Sequence, residues 1–302
     1  MKLQISGDIK MLKTYNDVYI ETYKKMCDID RDTAHFEARE IVCAAYHKRK
    51  EDWFLYSSMY CVEYDPILID DIIAKRAKNM PLAYILSEWD FYGRTFHITQ
   101  DVLIPRPETE ILAGKALEYV NAAVGAASVL DLCCGSGCIG ITLALENLYA
   151  TLTLADISQK ALDVSHRNTE RYNLSSRVTC RMANAQKEPP EDFQGFDIIV
   201  CNPPYITTAE MKTLDRSVRD YEPTLALDGG SDGLSFYRSI LEKWAHTLSS
   251  SGRILFEVGM GQADSVVELM AAAEFTELEI LSDYNGIDRV VCGKCPNKYW
   301  GI

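Results

Sequence analysis

Seven short apolar segments, which follow one another from residue 128 onward, constrain the fold of this chain more than any other feature. They read SVLDLC, TLTLADI, RVTCRM, FDIIVCN, GRILFEVG, TELEILSDY and DRVVCG. Stretches with helical spacing, such as CIGITLALENLY and SQKALDVSHRNTERYN, separate most of them. Near-continuous apolar strands that alternate with helices indicate an α/β fold with a mainly parallel sheet. Too few residues join the last two segments for a crossover helix, so that pair is predicted to be antiparallel.

The chain before this region reads as two further parts. Residues 1–85 carry apolar positions at helical spacing, as in DTAHFEAREIVCAAYHKRK and PILIDDIIAKRAKNMPLAYIL, and predict a small helical domain. Pro81 is expected to end the second of these helices. Aromatic and β-branched runs around Gly93 predict a β-hairpin linker within residues 86–107. Residues 108–302 then make up the domain that contains the sheet.

Composition and charge exclude several classes of function. The chain has 302 residues, 47% of them hydrophobic, and a net charge of −13. The acidic balance argues against broad binding to nucleic-acid phosphates, which requires clustered Lys and Arg. Neither a signal-peptide core nor an apolar stretch of roughly 20 residues is visible in the sequence. We therefore expect a soluble, cytoplasmic protein that does not bind membranes.

The ten cysteines are scattered along the chain rather than paired. Several lie inside apolar runs, where cysteine behaves as a small hydrophobic residue. Without a secretory signal, reduced thiols are expected. Cys292 and Cys295, in CGKC, have the spacing of a metal or redox pair, but a C-terminal turn is the preferred interpretation because no second pair lies nearby. No metal is predicted.

The segment VLDLCCGSGCIGI predicts a nucleotide-type cofactor site at the end of the first strand. Gly135 and Gly137 permit a tight turn and a close approach of the backbone to a ligand. Asp131, before the turn, would repel a pyrophosphate but tolerate an α-amino group. Asp156, about 20 residues after the turn, is placed to accept both hydroxyl groups of a ribose. An amino group and a ribose describe S-adenosylmethionine better than NAD.

Two later strand ends complete the predicted site. Asn184, in RMANAQ, could reach an adenine amino group, although a turn-forming asparagine is an alternative. The segment NPPY follows the fourth strand, whose carboxyl end faces the ligand in folds of this kind. The Asn202 side chain and the Pro203 carbonyl can accept both protons of an –NH₂ group, and Tyr205 offers a ring for a planar group to stack on. These residues predict a rigid clamp for a planar nitrogen nucleophile.

An ordered set of segments from about residue 80 to 292 resembles the HemK/PrmC family of release factor glutamine methyltransferases. The segments are PLAYILSEWDFYG, LIPRPETE, DLCCGSGCIG, NPPYI, YEPTLALDGGSDGL, FEVGMGQ and YNGIDRVV. The resemblance implies a Rossmann-like class I methyltransferase domain with a seven-stranded sheet, preceded by a helical domain that recognises the substrate. It also implies methyl transfer from S-adenosyl-L-methionine to the glutamine N5 in the Gly-Gly-Gln motif of class I peptide chain release factors.

The family motifs transfer to individual positions of this sequence. Those expected to bind the cofactor are Asp131, Cys134, Gly135, Ser136, Gly137, Cys138, Asp156, Asn184 and Asn202. Those expected to bind the substrate glutamine are Asn202, Pro203, Pro204 and Tyr205, with Asn202, Pro203 and Tyr205 also expected to be catalytic. The sequence departs from the family at Asn184, usually an acid, and at Ala185, aromatic in some members. Contacts to adenine are uncertain there.

Two other functions are compatible with parts of this pattern. An adenine-N6 nucleic-acid methyltransferase also presents NPPY to a planar –NH₂ group, but the acidic charge and the IPRPETE segment favour a protein substrate. A non-catalytic scaffold is disfavoured because both the glycines and the clamp are intact. Methyl transfer from labelled cofactor to a release factor, to DNA or to neither distinguishes the three hypotheses.

Overall fold

The structure of the chain, a computed structural model, describes residues 12–296. Most of the first fifteen residues, in which no signal-peptide core was found, lie outside the described range. The chain divides into two compact units, the first ending at Leu86 and the second beginning at Ser87. Among the helices of residues 12–296, none combines the length and apolar character needed to cross a bilayer.

The first unit is helical. Its α-helices are Tyr15–Cys27 (α1), Ala34–Ala45 (α2), Trp53–Tyr56 (α3), Pro66–Arg76 (α4) and Leu82–Leu86 (α5), with a short 3₁₀ helix at Lys50–Asp52. A capping box begins α1, because Thr14 and Asp17 each accept a hydrogen bond from the other's backbone N–H. The helix predicted to end at Pro81 ends earlier, at Arg76, and Pro81 instead directly precedes α5.

The second unit contains the predicted hairpin and sheet. Its strands are Glu88–Phe91 (β1), Arg94–His97 (β2), Ser128–Leu132 (β3), Thr151–Asp156 (β4), Val178–Met182 (β5), Phe196–Cys201 (β6), Leu248–Glu257 (β7), Thr276–Ser282 (β8) and Asp288–Lys294 (β9). Its α-helices are Thr109–Ala122 (α6), Cys138–Glu146 (α7), Gln159–Arg171 (α8), Arg216–Arg219 (α9), Ser235–Lys243 (α10) and Ala263–Ala272 (α11). Short 3₁₀ helices occur at Glu210–Lys212, Thr224–Ala226 and Ala245–Thr247.

The large sheet confirms the predicted α/β architecture. Its seven strands lie in the order β5-β4-β3-β6-β7-β9-β8. The pairs from β5 through β7 are parallel, whereas β9 is antiparallel to both β7 and β8. The antiparallel final pair was predicted from its short connection. Because β4 and β5 extend to one side of β3 and β6 extends to the other, the chain reverses direction between β3 and β6.

The predicted hairpin forms from β1 and β2 and packs against α8 within the second unit. The backbone turns at Gly93, where φ is +69°. The Asn168 side chain of α8 accepts a hydrogen bond from the His97 N–H at 2.7 Å and donates one to the His97 carbonyl at 3.0 Å. The Phe96 ring lies 5.6 Å from the ring of Tyr172. The hairpin is therefore anchored to the helix that follows β4.

A buried aromatic cluster fixes α10 against the sheet. Tyr237 of α10 packs edge-on against Phe256 of β7, with their ring centroids 5.3 Å apart. Trp244, just after α10, packs on Phe193 in the same way at 5.7 Å. The sequence analysis did not predict α10, although Tyr237 and Ile240 are buried at helical spacing along it. This packing holds the carboxyl end of β7 in place beside β6.

Candidate active site

A cavity opens at the carboxyl ends of β3, β4 and β6, where the chain reverses direction within the sheet. Ligands bind at this position in open α/β folds. The cavity is open to solvent and has an empty volume of about 1020 Å³. The predicted site residues that line it are Cys134, Gly135, Ser136, Cys138, Asp156, Asn184, Asn202 and Pro204. The predicted residues outside its wall are Asp131, Gly137, Pro203 and Tyr205.

The glycine turn after β3 forms one side of the cavity. Gly135 and Gly137 have φ angles of +54° and +76°, in the left-handed region that favours glycine. A Cβ atom on Gly137 would lie 2.9 Å from the Leu154 side chain, too close for an unstrained contact. A Cβ atom on Gly135 would meet nothing within 4 Å. Close packing therefore favours glycine at position 137. At position 135 it is the left-handed backbone conformation, beside the cavity, that favours glycine.

Asp131 is not among the residues that line the cavity, and its predicted contact with an amino group of the cofactor stays a prediction. Its side chain is fully buried, and its Oδ2 accepts a hydrogen bond from the Gly140 N–H at 2.8 Å. Burial, with a smaller contribution from the charge of Asp156, raises the pKa of Asp131 to about 7, while the Gly140 N–H opposes the rise. Asp131 therefore lies beneath the glycine turn and fixes the first turn of α7.

Asp156 ends β4 and lies at the cavity wall, as predicted for an acid that binds a ribose. Its Oδ2 accepts a hydrogen bond from the Gly135 N–H at 3.0 Å, and its Oδ1 accepts one from the Ser158 N–H at 2.9 Å. Each carboxylate oxygen has a further lone pair with which to accept a ligand hydroxyl group. Burial raises the pKa of Asp156, while these backbone donors oppose the rise.

Asn184 lines the cavity but also shapes the turn after β5. Its Oδ1 accepts a hydrogen bond from the Gln186 N–H at 2.8 Å, and its carbonyl accepts one from the Lys187 N–H at 2.9 Å. This is the turn-forming alternative considered for the sequence. Ala185 lies beside it in the wall and is buried. The side chain of Asn184 is thus held at the cavity by local backbone bonds.

Asn202 brings a side-chain amide from the end of β6 to the cavity wall. Its Nδ2 donates a hydrogen bond to Oγ1 of Thr109, 3.4 Å away, and Thr109 also lines the cavity. Because Nδ2 is engaged, Oδ1 is the side-chain atom that can accept a hydrogen from a ligand. The Pro204 carbonyl faces Gly229, where an added Cβ would lie 2.7 Å from it. The Pro203 carbonyl is the remaining acceptor of the Pro-Pro pair.

Tyr205 supports the loop from behind instead of presenting its ring to the cavity. Its hydroxyl donates to Oε1 of Glu257 at 3.4 Å, and its carbonyl accepts from Nε2 of Gln262 at 2.9 Å. Burial raises the pKa of Tyr205 well above its ordinary value. A buried tyrosine hydroxyl requires a polar partner, and Glu257 provides it. The predicted stacking role is therefore not seen in this arrangement.

A buried ion pair joins the two segments that form the opposite wall. Arg106, in IPRPETE, binds the buried carboxylate of Glu222, in YEPTLALDGG. Glu222 also accepts a hydrogen bond from the Ile104 N–H at 3.3 Å. Pro105 and Pro223, adjacent to the paired residues, both line the cavity. The contact explains why these two distant sequence segments belong to one site.

The sequence analysis missed Thr109 and Glu257. Glu257 is 3% exposed, and its pKa is raised to about 7, chiefly by burial. Oε1 of Glu257 accepts a hydrogen bond from the Tyr205 hydroxyl at 3.4 Å, and its Oε2 has no partner within the described structure. A signal existed in FEVG, where an acidic residue ends an apolar strand on the edge of the sheet that binds ligands. Thr109 gave no comparable signal, because a threonine at a helix start is common.

The CGKC pair shows no arrangement for metal binding. Cys292 lies in β9 with its Sγ 3.6 Å from the Tyr119 hydroxyl, and the Sγ of Cys295 lies 3.7 Å from the Ala245 carbonyl. All ten cysteines are free thiols. Within residues 12–296, no group of three or more His, Cys, Asp or Glu side chains is arranged to hold a metal ion.

The seven-stranded sheet, its antiparallel β9 and the cavity beside the glycine turn define a Rossmann-like class I methyltransferase. A family model described as "Methyltransferase small domain" matches residues 114–230. The hMettl16 catalytic domain has a similar fold, with a TM-score of 0.57, 15% identity and coverage of 75% of this chain and 82% of that one.

Comparison with relatives of known name identifies the family within this class. The chain is 44% identical to the release factor glutamine methyltransferase of Geobacter sulfurreducens, over 74% of this chain and 76% of that protein. It is 35% identical to the release factor glutamine methyltransferase of Clostridium acetobutylicum, over 91% of this chain and 96% of that protein. The chain belongs to the release factor glutamine methyltransferase family.

Proposed function

We propose that this enzyme methylates the side-chain nitrogen of the glutamine in the Gly-Gly-Gln motif of class I peptide chain release factors. Family membership supports this substrate, since the relatives are named for release factors and glutamine. The observation in this chain that carries the proposal is the amide of Asn202. Its Nδ2 is engaged with Thr109, which leaves Oδ1 at the cavity wall as an acceptor for a substrate –NH₂ group.

The methyltransferase family and fold imply the use of S-adenosylmethionine, which supplies a methyl group on a positively charged sulfur. The cavity fits this molecule. Asp156 keeps a lone pair on each carboxylate oxygen for the ribose hydroxyls, and Gly135 leaves the space in front of its backbone open. Asn184, which lines the same cavity, is proposed to contact the adenine. The flanking Cys134 and Cys138 line the same side and contribute an apolar surface.

The substrate clamp consists of two acceptors from the NPPY loop. Oδ1 of Asn202 and the carbonyl of Pro203 hold the two protons of the glutamine –NH₂ group and orient its nitrogen. An amide nitrogen is a weak nucleophile because its lone pair is delocalised into the carbonyl. The same acceptors stabilise the positive charge that develops on nitrogen, an effect largest in the transition state. Rate therefore comes mainly from positioning.

The helical first unit, residues 1–85 in the sequence prediction, is proposed to recognise the release factor. Exposed apolar side chains mark interaction surfaces, and residues 54–67 carry several of them. Phe54 is 90% exposed and Val62 is 77% exposed. Binding of a protein partner covers such side chains, while the cofactor cavity is lined by residues of the second unit alone.

This recognition role is tested in the full-length chain. The double variant Phe54→Ser/Val62→Ser should raise KM for the release factor and leave cofactor affinity unchanged. Leu148→Ser is the matched control, because Leu148 is 72% exposed but lies in the second unit. Equal KM values for the double variant and the control would show that this surface of the first unit does not recognise the release factor.

A cytoplasmic location is part of the proposal, because release factors act on ribosomes. The proposed partners are thus class I release factors, and neither a membrane nor nucleic acid in general is among them. The net charge of −13 supports the latter point.

Methyl transfer from isotopically labelled S-adenosylmethionine tests the function. The purified enzyme should label the release factors of its own organism and should not label a release factor whose Gly-Gly-Gln glutamine is replaced by alanine. DNA and RNA are tested in parallel. If nucleic acid became labelled and the release factor did not, the adenine-N6 alternative would replace the proposal.

A further inference from the structure

Glu222 is a buried carboxylate that joins two distant segments of the cavity wall. Its side chain is 1% exposed, whereas the side chain of its partner Arg106 is 34% exposed. One carboxylate oxygen binds the Arg106 guanidinium, and the other accepts a hydrogen bond from the Ile104 N–H at 3.3 Å. A buried charge is costly unless it is paired and hydrogen-bonded, and both oxygens of Glu222 have partners. The two segments are therefore fixed to each other at this carboxylate.

A continuous series of hydrogen bonds leads from Glu222 to one end of the NPPY loop. Its first member is the contact between Glu222 and the Arg106 side chain. The Arg106 main-chain carbonyl accepts a hydrogen bond from the Thr109 N–H at 3.1 Å. Thr109 is buried at the start of α6, and its Oγ1 accepts from Nδ2 of Asn202 at 3.4 Å. The position of the Asn202 amide therefore depends on where Glu222 holds Arg106.

The chain after Glu222 reaches the other end of the same loop. Ile206 directly follows the NPPY motif, and its N–H donates to the Leu227 carbonyl at 3.0 Å. The Ile206 carbonyl accepts from the Gly229 N–H at 2.8 Å. Segments 104–109, 202–206 and 222–229 are thus each bonded to the other two. We call these three segments the clamp ring.

The clamp ring contributes the prolines of the cavity wall. Pro105, Pro204 and Pro223, one from each segment, all line the cavity. Proline has a fixed φ and no N–H, so each segment is locally stiff. The contacts between the segments therefore decide the shape of this wall, and the contact between Arg106 and Glu222 joins the two segments that flank the NPPY loop.

We propose that Arg106 and Glu222 are positioning residues for methyl transfer, because their ion pair closes the clamp ring and thereby holds the Asn202 amide in place for the substrate. This inference rests on the proposed function, since it assumes that Oδ1 of Asn202 accepts a hydrogen from the substrate –NH₂ group. Neither Arg106 nor Glu222 lines the cavity, so neither is assigned a contact with the substrate or the cofactor.

The ion pair should affect turnover rather than cofactor binding. Asp156 is held by backbone N–H groups of Gly135 and Ser158, which lie outside the clamp ring. Loss of the pair lets the partly exposed Arg106 side chain turn toward water and frees segment 104–109 to shift relative to the NPPY loop. A displacement of about 1 Å at a reacting group can cost roughly 10²-fold in rate. The clamp ring keeps its other bonds, so a smaller loss is expected.

The first experiment measures kcat and KM for release factor methylation in Glu222→Gln. Glutamine keeps the side-chain length and an oxygen for the Ile104 N–H, but its –NH₂ group cannot pair with the Arg106 guanidinium because both are donors. We expect kcat to fall by about 10-fold. Affinity for S-adenosylmethionine, measured by calorimetry, should be unchanged and also shows that the variant is folded.

Glu146→Gln is the matched control. Glu146 forms an ion pair with Arg94 that also joins distant segments of the second unit, and neither residue lines the cavity. Its kcat should equal that of wild type. An equal fall of kcat in Glu146→Gln and Glu222→Gln would show that the loss of any ion pair in this unit has the same effect, and would overturn the proposed role.

A double variant tests whether the pair acts as a unit. Arg106→Gln/Glu222→Gln removes both charges, so no buried carboxylate is left without a partner. Its kcat should equal that of Glu222→Gln, because the contact is already lost in the single variant. A further fall of about 10-fold would show that Arg106 acts independently of Glu222 and would overturn their joint role.

A second double variant separates positioning from a merely structural role. In the Asn202→Ala background, Glu222→Gln should lower kcat by less than about 2-fold, because the amide that the pair positions is already absent. A merely structural role would lower kcat by about 10-fold in both backgrounds and would overturn the proposal.

The outcomes also distinguish this inference from the proposed function. Wild-type enzyme that fails to methylate a release factor overturns the function itself. Active wild type together with a folded Glu222→Gln variant of the same kcat overturns only the positioning role of Arg106 and Glu222.

Discussion

Backbone N–H groups hold the carboxylate of Asp156 on one side of the cavity. On the opposite side, the amide of Asn202 is held by another side chain. We call residues 133–158 the cofactor half, where Asp156 accepts backbone N–H bonds from Gly135 and Ser158 at 3.0 and 2.9 Å. We call Asn202 with Thr109, Glu257 and Tyr205 the substrate half, where the measured bonds are 3.4 Å long.

This difference shows which residues determine the structure of each half. A local turn with glycines fixes the cofactor half, so neighbouring residues in sequence suffice to build it. The substrate half brings together side chains 93 and 52 residues apart, so its geometry depends on the packing of distant segments. We therefore expect changes in the first half to affect binding and folding, and changes in the second to affect turnover.

The largest expected effect is on turnover in Asn202→Ala. Removing Oδ1 deletes one of the two acceptors that orient and stabilise the substrate nitrogen, so kcat should fall by roughly 10²-fold or more. Cofactor affinity should change far less. Steady-state methylation and calorimetry with S-adenosylmethionine check both statements. Near-normal turnover would remove Asn202 from the clamp.

Gly137→Ala tests whether the cofactor half depends on packing. The added methyl group would approach Leu154 in a backbone conformation that strains any side chain, so the unfolding free energy should fall by about 1–3 kcal/mol. Gly135→Ala is the matched control. It has a similar φ but open space around it, so it should cost about 1 kcal/mol of stability and instead weaken cofactor binding. Chemical denaturation that ranks Gly135→Ala as the less stable variant would contradict this account.

Asp156→Ala should weaken the binding of S-adenosylmethionine by about 1–3 kcal/mol, through the loss of charge-assisted hydrogen bonds to the ribose. Calorimetry measures the change directly. Unchanged affinity in a folded variant would show that Asp156 serves only to cap the turn through Gly135 and Ser158.

Asp131→Asn should change how stability depends on pH. The pKa of Asp131 is raised to about 7 from an ordinary value of 3.8, so the folded state holds a proton that the unfolded state has lost. The stability of wild type relative to the variant is then greatest at low pH and is lost as pH rises through about 4 to 7. The loss should amount to about 4 kcal/mol, because about three pKa units at about 1.4 kcal/mol each separate the two states. Chemical denaturation at pH 4.5 and at pH 8 measures this loss. The same difference in unfolding free energy between wild type and variant at both pH values would show that Asp131 is ionised throughout.

Tyr205→Phe should have the smallest effect. It removes one donor to Glu257 but keeps the ring, so turnover at pH 8 should fall less than in Tyr205→Ala. Single-turnover methylation by the two variants measures this difference. Equal losses in Tyr205→Phe and Tyr205→Ala would show that the ring of Tyr205 does not support the loop.

The sequence predicted the sheet well because each strand carries its own apolar signal and each connection its own length. Helix α10 escaped prediction, although Tyr237 and Ile240 have helical spacing, because it has only nine residues and no side-chain cap marks its start. The end of α4 at Arg76 rather than near Pro81 shows that proline limits a helix without specifying where it stops.

The candidate site was predictable to the extent that its residues are contiguous. Gly135, Asp156 and Asn202 lie at or just after the ends of strands, and all three line the cavity. The sequence pattern does not show whether Asp131 meets the ligand, because both faces of a central parallel strand are covered. Thr109 was missed because its function depends on partners far away in sequence.

The contrast between the two halves is tested most directly by single-turnover methylation of a release factor at saturating S-adenosylmethionine. Under these conditions weakened cofactor binding no longer limits the rate. The account predicts that Asp156→Ala recovers to within about 3-fold of the wild-type rate, while Asn202→Ala remains roughly 10²-fold slower. Equal deficits in the two variants, or recovery of Asn202→Ala alone, would contradict the division of the cavity into a binding half and a turnover half.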